Sequence, residues 1–200
     1  MMCGRYFIAT EQEEYEIKKI IEQVNNRYKN THELSEMKTG EIYPTNLVPV
    51  ITPESPTLMI WGFTRFDGKG QVINARLETA TEKPMFRKAF AENRCLVPAS
   101  HYYEWEKLGT KKQKYIIGSR GTIYMAGLYR FEKDSPLPRF VILTRPAAPN
   151  LAFIHDRMPL ILPKDMHGAW LNHHIDNQDV MNRSEENLIY EGVDLQPVLF

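Results

Sequence analysis

Along residues 11–27 the apolar positions fall at Tyr15, Ile17, Ile20, Ile21 and Val24. Steps of two to four residues of this kind line one face of a helix and predict an amphipathic α-helix. Thr10 precedes it and Glu13 follows three residues later, the arrangement of a capping box. The polar stretch 25–40 predicts a loop. Beyond it the helical spacing gives way to short apolar runs. Residues 47–51, 58–66 and 72–76 predict strands, the second holding Trp61-Gly62-Phe63. Residues 82–93 predict a helix with Pro84 in its first turn. The run 94–99 fits a buried strand. Residues 102–107, 114–119, 122–129 and 140–144 are rich in Tyr, Ile, Val and Phe and predict four more, punctuated by Gly109, Gly118, Gly121, Ser135 and Pro136. Short helical pieces are expected at 147–153, at 165–172 after Pro163, and at 184–189, with a strand at 159–162. Many strands, a few helices and no strand–helix–strand rhythm imply an α+β fold. Its expected core is a mixed, mostly antiparallel, barrel-like sheet flanked by a few helices.

Two hundred residues suffice for one domain with its own core, and a single domain over 1–200 is expected. Charge changes the picture by exclusion. The 25 basic and 25 acidic residues cancel, so bulk charge cannot be what holds a nucleic acid, although a local basic cleft is allowed. Only Cys3 and Cys95 carry thiols, and no CxxC pair suggests a structural zinc or a thioredoxin-like site. His167, His173 and His174 have no carboxylate spaced to join them at a metal, so neither metal nor cofactor is expected. No apolar run has the length of a membrane span and no signal segment stands out, which predicts a cytoplasmic protein with free thiols.

Polar residues set among strand-like segments are the candidates for chemistry. If Met1 and Met2 are absent, Cys3 offers an amine and a thiol on adjacent carbons. An α-amine has a pKa of about 7.7–8.0, so much of it is nucleophilic near neutrality. It can condense with an aldehyde to an imine, and the thiol can close on the imine carbon to give a thiazolidine. Alternatively, Cys3 is a small residue tucked under the first strand. Period two puts Asn74 and Arg76 on one face, and would do the same for His155 and Arg157. Glu104 lies in the aromatic strand Tyr102-Tyr103-Glu104-Trp105-Glu106. Singly, Glu104 could be a solvated strand residue, His155 a satisfied core histidine, and Arg76 and Arg157 surface ion-pair partners. Together, Cys3, Asn74, Glu104 and His155 are the groups that imine and thiazolidine chemistry needs: a nucleophile, an amide to hold a sugar, and groups that move protons. Arg5, Arg76 and Arg157 suit phosphate. Trp61 and Trp105 could stack on bases or pack.

The chain resembles the SRAP family, the SOS response-associated peptidase proteins that attach covalently to abasic sites in DNA. The matching stretches include Cys3-Gly4-Arg5-Tyr6, Trp61-Gly62, Asn74-Ala75-Arg76-Leu77-Glu78-Thr79, Phe86-Arg87 and Arg94-Cys95-Leu96-Val97-Pro98-Ala99. They continue with Tyr102-Tyr103-Glu104-Trp105 and His155-Asp156-Arg157-Met158-Pro159. The resemblance implies that Cys3, once N-terminal, forms a thiazolidine with the ring-opened sugar. It implies that Asn74 positions that sugar and that Glu104 and His155 transfer protons. Arg5, Arg76 and Arg157 would bind flanking phosphates, and Trp61, Met85 and the turn at Pro44 would line the groove. Single-stranded DNA with abasic sites is the implied partner. The protein would act as a monomer, cytoplasmic and nucleoid-associated when bound. The family name records a proposed peptidase activity, which could be self-processing that exposes Cys3. Met1-Met2 departs from the usual Met-Cys start. Methionine removal generally needs a small following residue, so either translation starts at Met2, or the protein trims itself, or this chain is blocked. Two rivals remain: a cysteine hydrolase built on Cys3 and His155, which needs no free amine, and a noncovalent single-strand binder.

Overall fold

The computed structural model describes residues 4–9 and 15–193. In chain order they form β1 (Tyr6–Ile8), α1 (Tyr15–Arg27), α2 (His32–Glu36), β2 (Gly40–Ile42), β3 (Leu47–Ile51), β4 (Pro56–Trp61), β5 (Phe63–Thr64), β6 (Gln71–Val72) and β7 (Asn74–Arg76). There follow α3 (Leu77–Ala80), α4 (Arg87–Glu92), β8 (Arg94–Leu108), β9 (Lys111–Arg130), β10 (Arg139–Pro146), β11 (Arg157–Pro159), α5 (His167–Leu171), α6 (Asn177–Arg183) and β12 (Ile189–Val193).

Strands β3, β4, β10, β9 and β8 pair in that order, and β8 pairs back to β3, so the ring closes. Every pairing around it is antiparallel except β4 with β10. The expected mixed, mostly antiparallel, barrel-like core is therefore present. Closure leaves no free edge in the ring. Its interior is filled by Val48, Val50, Met59, Trp61, Val97, Met125, Phe140 and Ile142, all fully buried. A second layer, including Leu77, Phe86, Phe90, Trp170 and Val180, seals α3 to α6 against the outer wall. Ile17, Ile20 and Val24 bury the apolar face of α1, as the spacing predicts. Thr10 and Glu13, the proposed capping box, lie outside the described residues.

The segments expected as four separate strands between 94 and 129 are two long ones. β8 and β9 form one hairpin whose register shifts between Ala99 and His101. Gly118, read as punctuation, lies inside β9 opposite His101. A Cβ there would stand 3.1 Å from the Ser100 carbonyl oxygen, so the glycine permits close approach at the bulge and does not end the strand. Before the bulge the hairpin belongs to the barrel. After it, β8 pairs with β1 and β9 with β12, forming a sheet that leaves the barrel.

Other boundaries also move. The 58–66 strand breaks at Gly62, whose φ of +114° ends β4 and starts β5. The 82–93 helix shrinks to α4, because Pro84 disfavours helical geometry at Lys83 and leaves turns over 82–86. The 25–40 loop contains α2, capped by Thr31 accepting from the Leu34 N–H. Residues 147–153 form turns, and 184–189 gives way to α6 before it and β12 after it. Asp176 caps α6 by accepting from Asp179 N–H at 2.9 Å. No helix among the described residues is long and apolar enough to cross a membrane.

Trp61 requires a correction. It was expected in a DNA groove, yet it is fully buried in the barrel. Its ring meets Tyr6 edge-on at 5.1 Å and stacks on Phe140 at 6.3 Å. Its Nε1–H donates to the Ile73 carbonyl at 3.1 Å, which also accepts from Ile142 N–H at 3.0 Å. That carbonyl immediately precedes Asn74, so Trp61 acts on the site through β7's backbone. Replacing Trp61→Phe should lower unfolding stability by about 1–3 kcal/mol, from the lost N–H bond and lost volume. Urea denaturation checks this; an unchanged midpoint would mean that the bond and the ring contribute nothing.

Candidate functional site

Strand alternation beyond the bulge separates β8 into two faces. Tyr102 and Glu104 point to one, Tyr103 and Trp105 to the other. Glu104 is only 4 % exposed, so it is not a solvated strand residue. Its Oε1 accepts from the Trp105 backbone N–H at 3.2 Å. β1 lies alongside, with Tyr6 opposite Tyr102 and the Tyr103 N–H donating to the Arg5 carbonyl at 2.9 Å. This ladder runs toward Gly4 and Glu104. A Cβ built on Gly4 would stand 4.0 Å from Ile73 Cδ1. Gly4 thus lies between the strand of Glu104 and the approach to Asn74. Cys3 lies outside the described residues.

β7 runs parallel to β10, Asn74 opposite Ile142 and Arg76 opposite Thr144. Asn74, Arg76 and Met85, three residues singled out from sequence, line one cavity of about 450 Å³ with Phe66, Lys83 and Pro84. Phe66 is 75 % exposed on the β5–β6 turn. That turn is tied down because Glu132 accepts from Thr64 N–H at 3.0 Å and from Arg130 Nε at 2.8 Å. Arg76 is exposed and has no ion-pair partner among the described residues.

The β10–β11 connection supplies the other side. Pro146 lies opposite Arg157 and Thr144 opposite Pro159. His155, just before β11, has Nδ1 at 3.1 Å from the Arg157 N–H and 2.8 Å from Asp156 Oδ1. The two contacts need opposite proton placements. With Nδ1 bare it accepts from Arg157; with Nδ1 protonated it gives to Asp156. Arg157 is more enclosed than a phosphate ligand would be. Its fork grips both Glu78 oxygens, Nη1 on Oε1 and Nη2 on Oε2, the latter at 2.8 Å. Nη2 also donates to the Thr144 carbonyl at 2.8 Å. The arginine side chain is 10 % exposed. Arg157 therefore ties α3 to β10 and β11 in this state and presents no open fork to solvent.

Arg5 stands apart from the others. Its guanidinium lies over the rings of Tyr43 at 4.5 Å and Trp105 at 5.0 Å and pairs with Glu41 at 3.1 Å. Trp105 is on the face of β8 away from Glu104, so Arg5 and Glu104 occupy opposite faces of the same sheet. Pro44 is half-buried in the turn between β2 and β3, outside the cavity of Asn74. The next residue, Thr45, has φ of +76°, a left-handed conformation costly for a β-branched residue. The Thr45 N–H donates to the Trp61 carbonyl at 2.9 Å, which joins this turn to the core.

Sequence reasoning passed over Phe66, Lys83 and Pro84 as cavity walls, Glu78 as the partner of Arg157, and Glu41, Tyr43 and Lys114 around Arg5. Alternation of Glu41 and Tyr43 on a strand was the available signal for the last group. Burial pushes the Cys95 thiol far up, so it stays protonated and is no nucleophile at neutral pH. His167 is absorbed by the wall, with Nε2 at 3.1 Å from the Leu162 carbonyl oxygen and its ring 4.4 Å from that of Tyr124. Burial holds its pKa below the usual histidine range.

Comparison with known proteins matches the profile of the family described as SOS response associated peptidase (SRAP) to residues 2–198. The abasic site processing protein YoqW of Bacillus subtilis is 31 % identical over 193 residues, covering 86 % of this chain and 80 % of that protein. The abasic site processing protein YedK of Escherichia coli is 28 % identical, covering 89 % and 83 %. A crystal structure of a Bacteroides thetaiotaomicron protein superposes with a TM-score of 0.77 at 23 % identity, covering 96 % of this chain and 93 % of that one. A phage-related protein of Bordetella bronchiseptica gives 0.72 at 23 % identity, covering 96 % and 94 %. These two likenesses concern the fold.

The Glu78–Arg157 pair makes a pH-dependent contribution whose sign is determined. The Arg157 hydrogen bond holds the Glu78 carboxyl below its ordinary 4.5. A depressed folded-state pKa stabilises the protein above the ordinary value, and that stabilisation is lost as pH falls through the folded-state pKa. Glu78→Gln should therefore be less stable than the parent at about pH 7, the gap closing as pH falls below about 4.5. Urea melts of both proteins across this range check it. A gap that does not change with pH would show an unshifted carboxyl.

Proposed function

We propose a covalent chemistry from one premise: the chain belongs to the SOS response associated peptidase (SRAP) family, whose relatives here are named abasic site processing proteins. The substrate on this reading is an abasic site in single-stranded DNA, and the reagent is Cys3 at a mature N-terminus. The observation that carries it is the position of Gly4, the residue after Cys3, between the strand of buried Glu104 and the approach to Asn74. The enclosed, protonated thiol of Cys95 leaves Cys3 as the thiol available for reaction.

The chemistry follows in balanced steps. The Cys3 amine adds to the aldehyde carbon of the ring-opened sugar, giving a carbinolamine. Protonation of its hydroxyl lets water leave and forms the imine. The thiol sulfur then bonds to the imine carbon while its proton passes to nitrogen, closing a five-membered thiazolidine. One water is released overall, with no redox change. Glu104 and His155 handle these protons. Glu104 is buried beside the strand that carries Gly4, and His155 Nδ1 faces both a donor and an acceptor. Asn74 holds the sugar, and the Phe66–Met85 cavity receives a neighbouring base or sugar. Arg76 takes a phosphate. Arg157 holds Glu78 and thereby the β7–α3 junction, while Arg5, clamped by Tyr43, Trp105 and Glu41, holds the N-terminal strand. Single-stranded substrate spares the cost of unstacking a duplex. The adduct would shield the lesion, and removal of residues ahead of Cys3 would be the peptidase step.

Abasic single-stranded DNA run on a denaturing gel, with the protein's N-terminal mass measured in parallel, tests this. A heat-stable shifted band should form only when Cys3 is first, and Cys3→Ala should remove it. Glu104→Gln or His155→Ala should slow its formation roughly a hundredfold. A band that survives Cys3→Ala would overturn the assignment. Hydrolysis by a chain still carrying Met2 would point to a cysteine hydrolase. Binding lost entirely on denaturation would point to a noncovalent binder.

A further inference from the structure

Past the last flanking pairs, Val193 with Lys114 and the Arg5–Tyr103 bond, no described strand accompanies the β8–β9 hairpin. Its tip closes over Gly109, with φ of +62°, and Thr110. Here Lys107 faces Lys112 and Leu108 faces Lys111. All four are exposed, Leu108 at 53 %. None of the three lysines has an ion-pair partner among the described residues. Directly opposed like charges destabilise a strand pair, so a tip carrying them without a local counter-charge needs some other reason to exist. The acids closest along these strands are otherwise engaged. Glu106 accepts from the Tyr115 hydroxyl at 2.8 Å, and Glu41 serves Arg5 and Lys114. Glu191 lies farther down, opposite Ile116. In a chain of zero net charge this is a strong local concentration of cations.

We propose that this tip grips the phosphodiester backbone of the single strand beside the lesion, a contact separate from Arg76 at the cavity. The inference rests on DNA being the substrate. Its occupant follows from charge complementarity and continuity. Lys107 is three residues from Glu104 on one strand, about 10 Å away. A strand held at Glu104 therefore passes within reach of the tip. Lys107 and Lys112 lie on the Trp105 side and Lys111 on the Glu104 side, so the tip meets the backbone from both faces. Ammonium groups act here as point charges and carry no base preference.

Binding of undamaged single-stranded DNA by the full chain, measured over a range of salt, tests this with the combined variant Lys107→Gln, Lys111→Gln, Lys112→Gln. Losing three phosphate contacts should reduce the slope of log affinity against log salt by about 2 and weaken binding at least tenfold near 0.1 M salt. The matching Lys→Arg variant should retain the wild-type slope. An unchanged slope in the Gln variant would overturn the inference and assign the tip to another surface, such as an acidic protein. This binding makes no use of Cys3. A reduced slope without a covalent band would sink the covalent reading and leave the tip's role standing, and a covalent band with an unchanged slope would do the reverse.

Discussion

The hydrogen-bonded ladder between β8 and β9 is the constraint on which the rest depends. One continuous hairpin begins inside the barrel wall, where Arg94 faces Leu128, and ends in solvent, where Leu108 faces Lys111. The bulge at Ser100 hands it from the barrel to the outer sheet. Because the inner half is locked by β3 and β10, the outer half inherits its register. A one-residue slip would exchange Glu104 with Trp105 and turn the carboxylate to the opposite face. Gly118 eases the handover, since a Cβ there would press to 3.1 Å on the Ser100 carbonyl oxygen. The Ser100 hydroxyl meanwhile accepts from Ala9 N–H at 3.0 Å, which joins the end of β1 to the same point. The bulge thus aligns β1, and with it Gly4, to Glu104.

Much of this was legible in the residue pattern. Apolar runs located most strands, and their lack of a helical crossover rhythm gave the sheet's mixed, mostly antiparallel character. What periodicity could not reveal was continuity. Gly118 and Gly121 read as turn residues, because a strand glycine at a bulge and a turn glycine look alike in sequence. Trp61 was misplaced for a different reason. Only the family resemblance placed it in the groove, whereas alternation along β4 directs it inward with Met59. The pairing of Arg157 with Glu78 was illegible because it spans 79 residues and joins two short elements brought together only by β10.

Motif residues therefore divide by physical duty more than by closeness to chemistry. Arg94, in a stretch that carries the family resemblance, is 7 % exposed and has no carboxylate partner among the described residues. Its guanidinium donates to the Phe90 carbonyl at 3.2 Å and the Ile175 carbonyl at 3.3 Å, and it lies over the rings of Phe90 and Trp170. Burial lowers its pKa to about 10, which still leaves it charged at neutrality. The next residue continues this duty, since the Cys95 carbonyl accepts from Trp170 Nε1–H at 2.9 Å. These groups anchor the α5 region to the barrel. Glu104 is buried to a similar depth on the other half of the same strand, near the approach to Asn74 and the start of the chain. Burial alone does not distinguish the two duties; what each group faces does.

On the proposed reading, charge pairing across the fold lets a neutral protein hold a polyanion locally. Arg5 and Lys114 share Glu41, Arg157 is occupied by Glu78, and Arg130 and Arg139 converge on Glu132. Each pair joins elements distant in sequence or pins a hairpin, so these cations are spent on shape. Arg76 and the three tip lysines are among the cations left without such partners among the described residues; Arg76 lies two residues from Asn74 and Lys107 three from Glu104. A strand drawn to them gains little from the protein's overall field, which is near zero, and much from these few contacts. Attraction of that kind falls off within about a Debye length, near 8 Å at physiological salt. It therefore selects a strand already at the cleft. On the proposed chemistry that is sufficient, because capture is completed by a covalent bond and a shallow, short-ranged hold need only last until the ring closes.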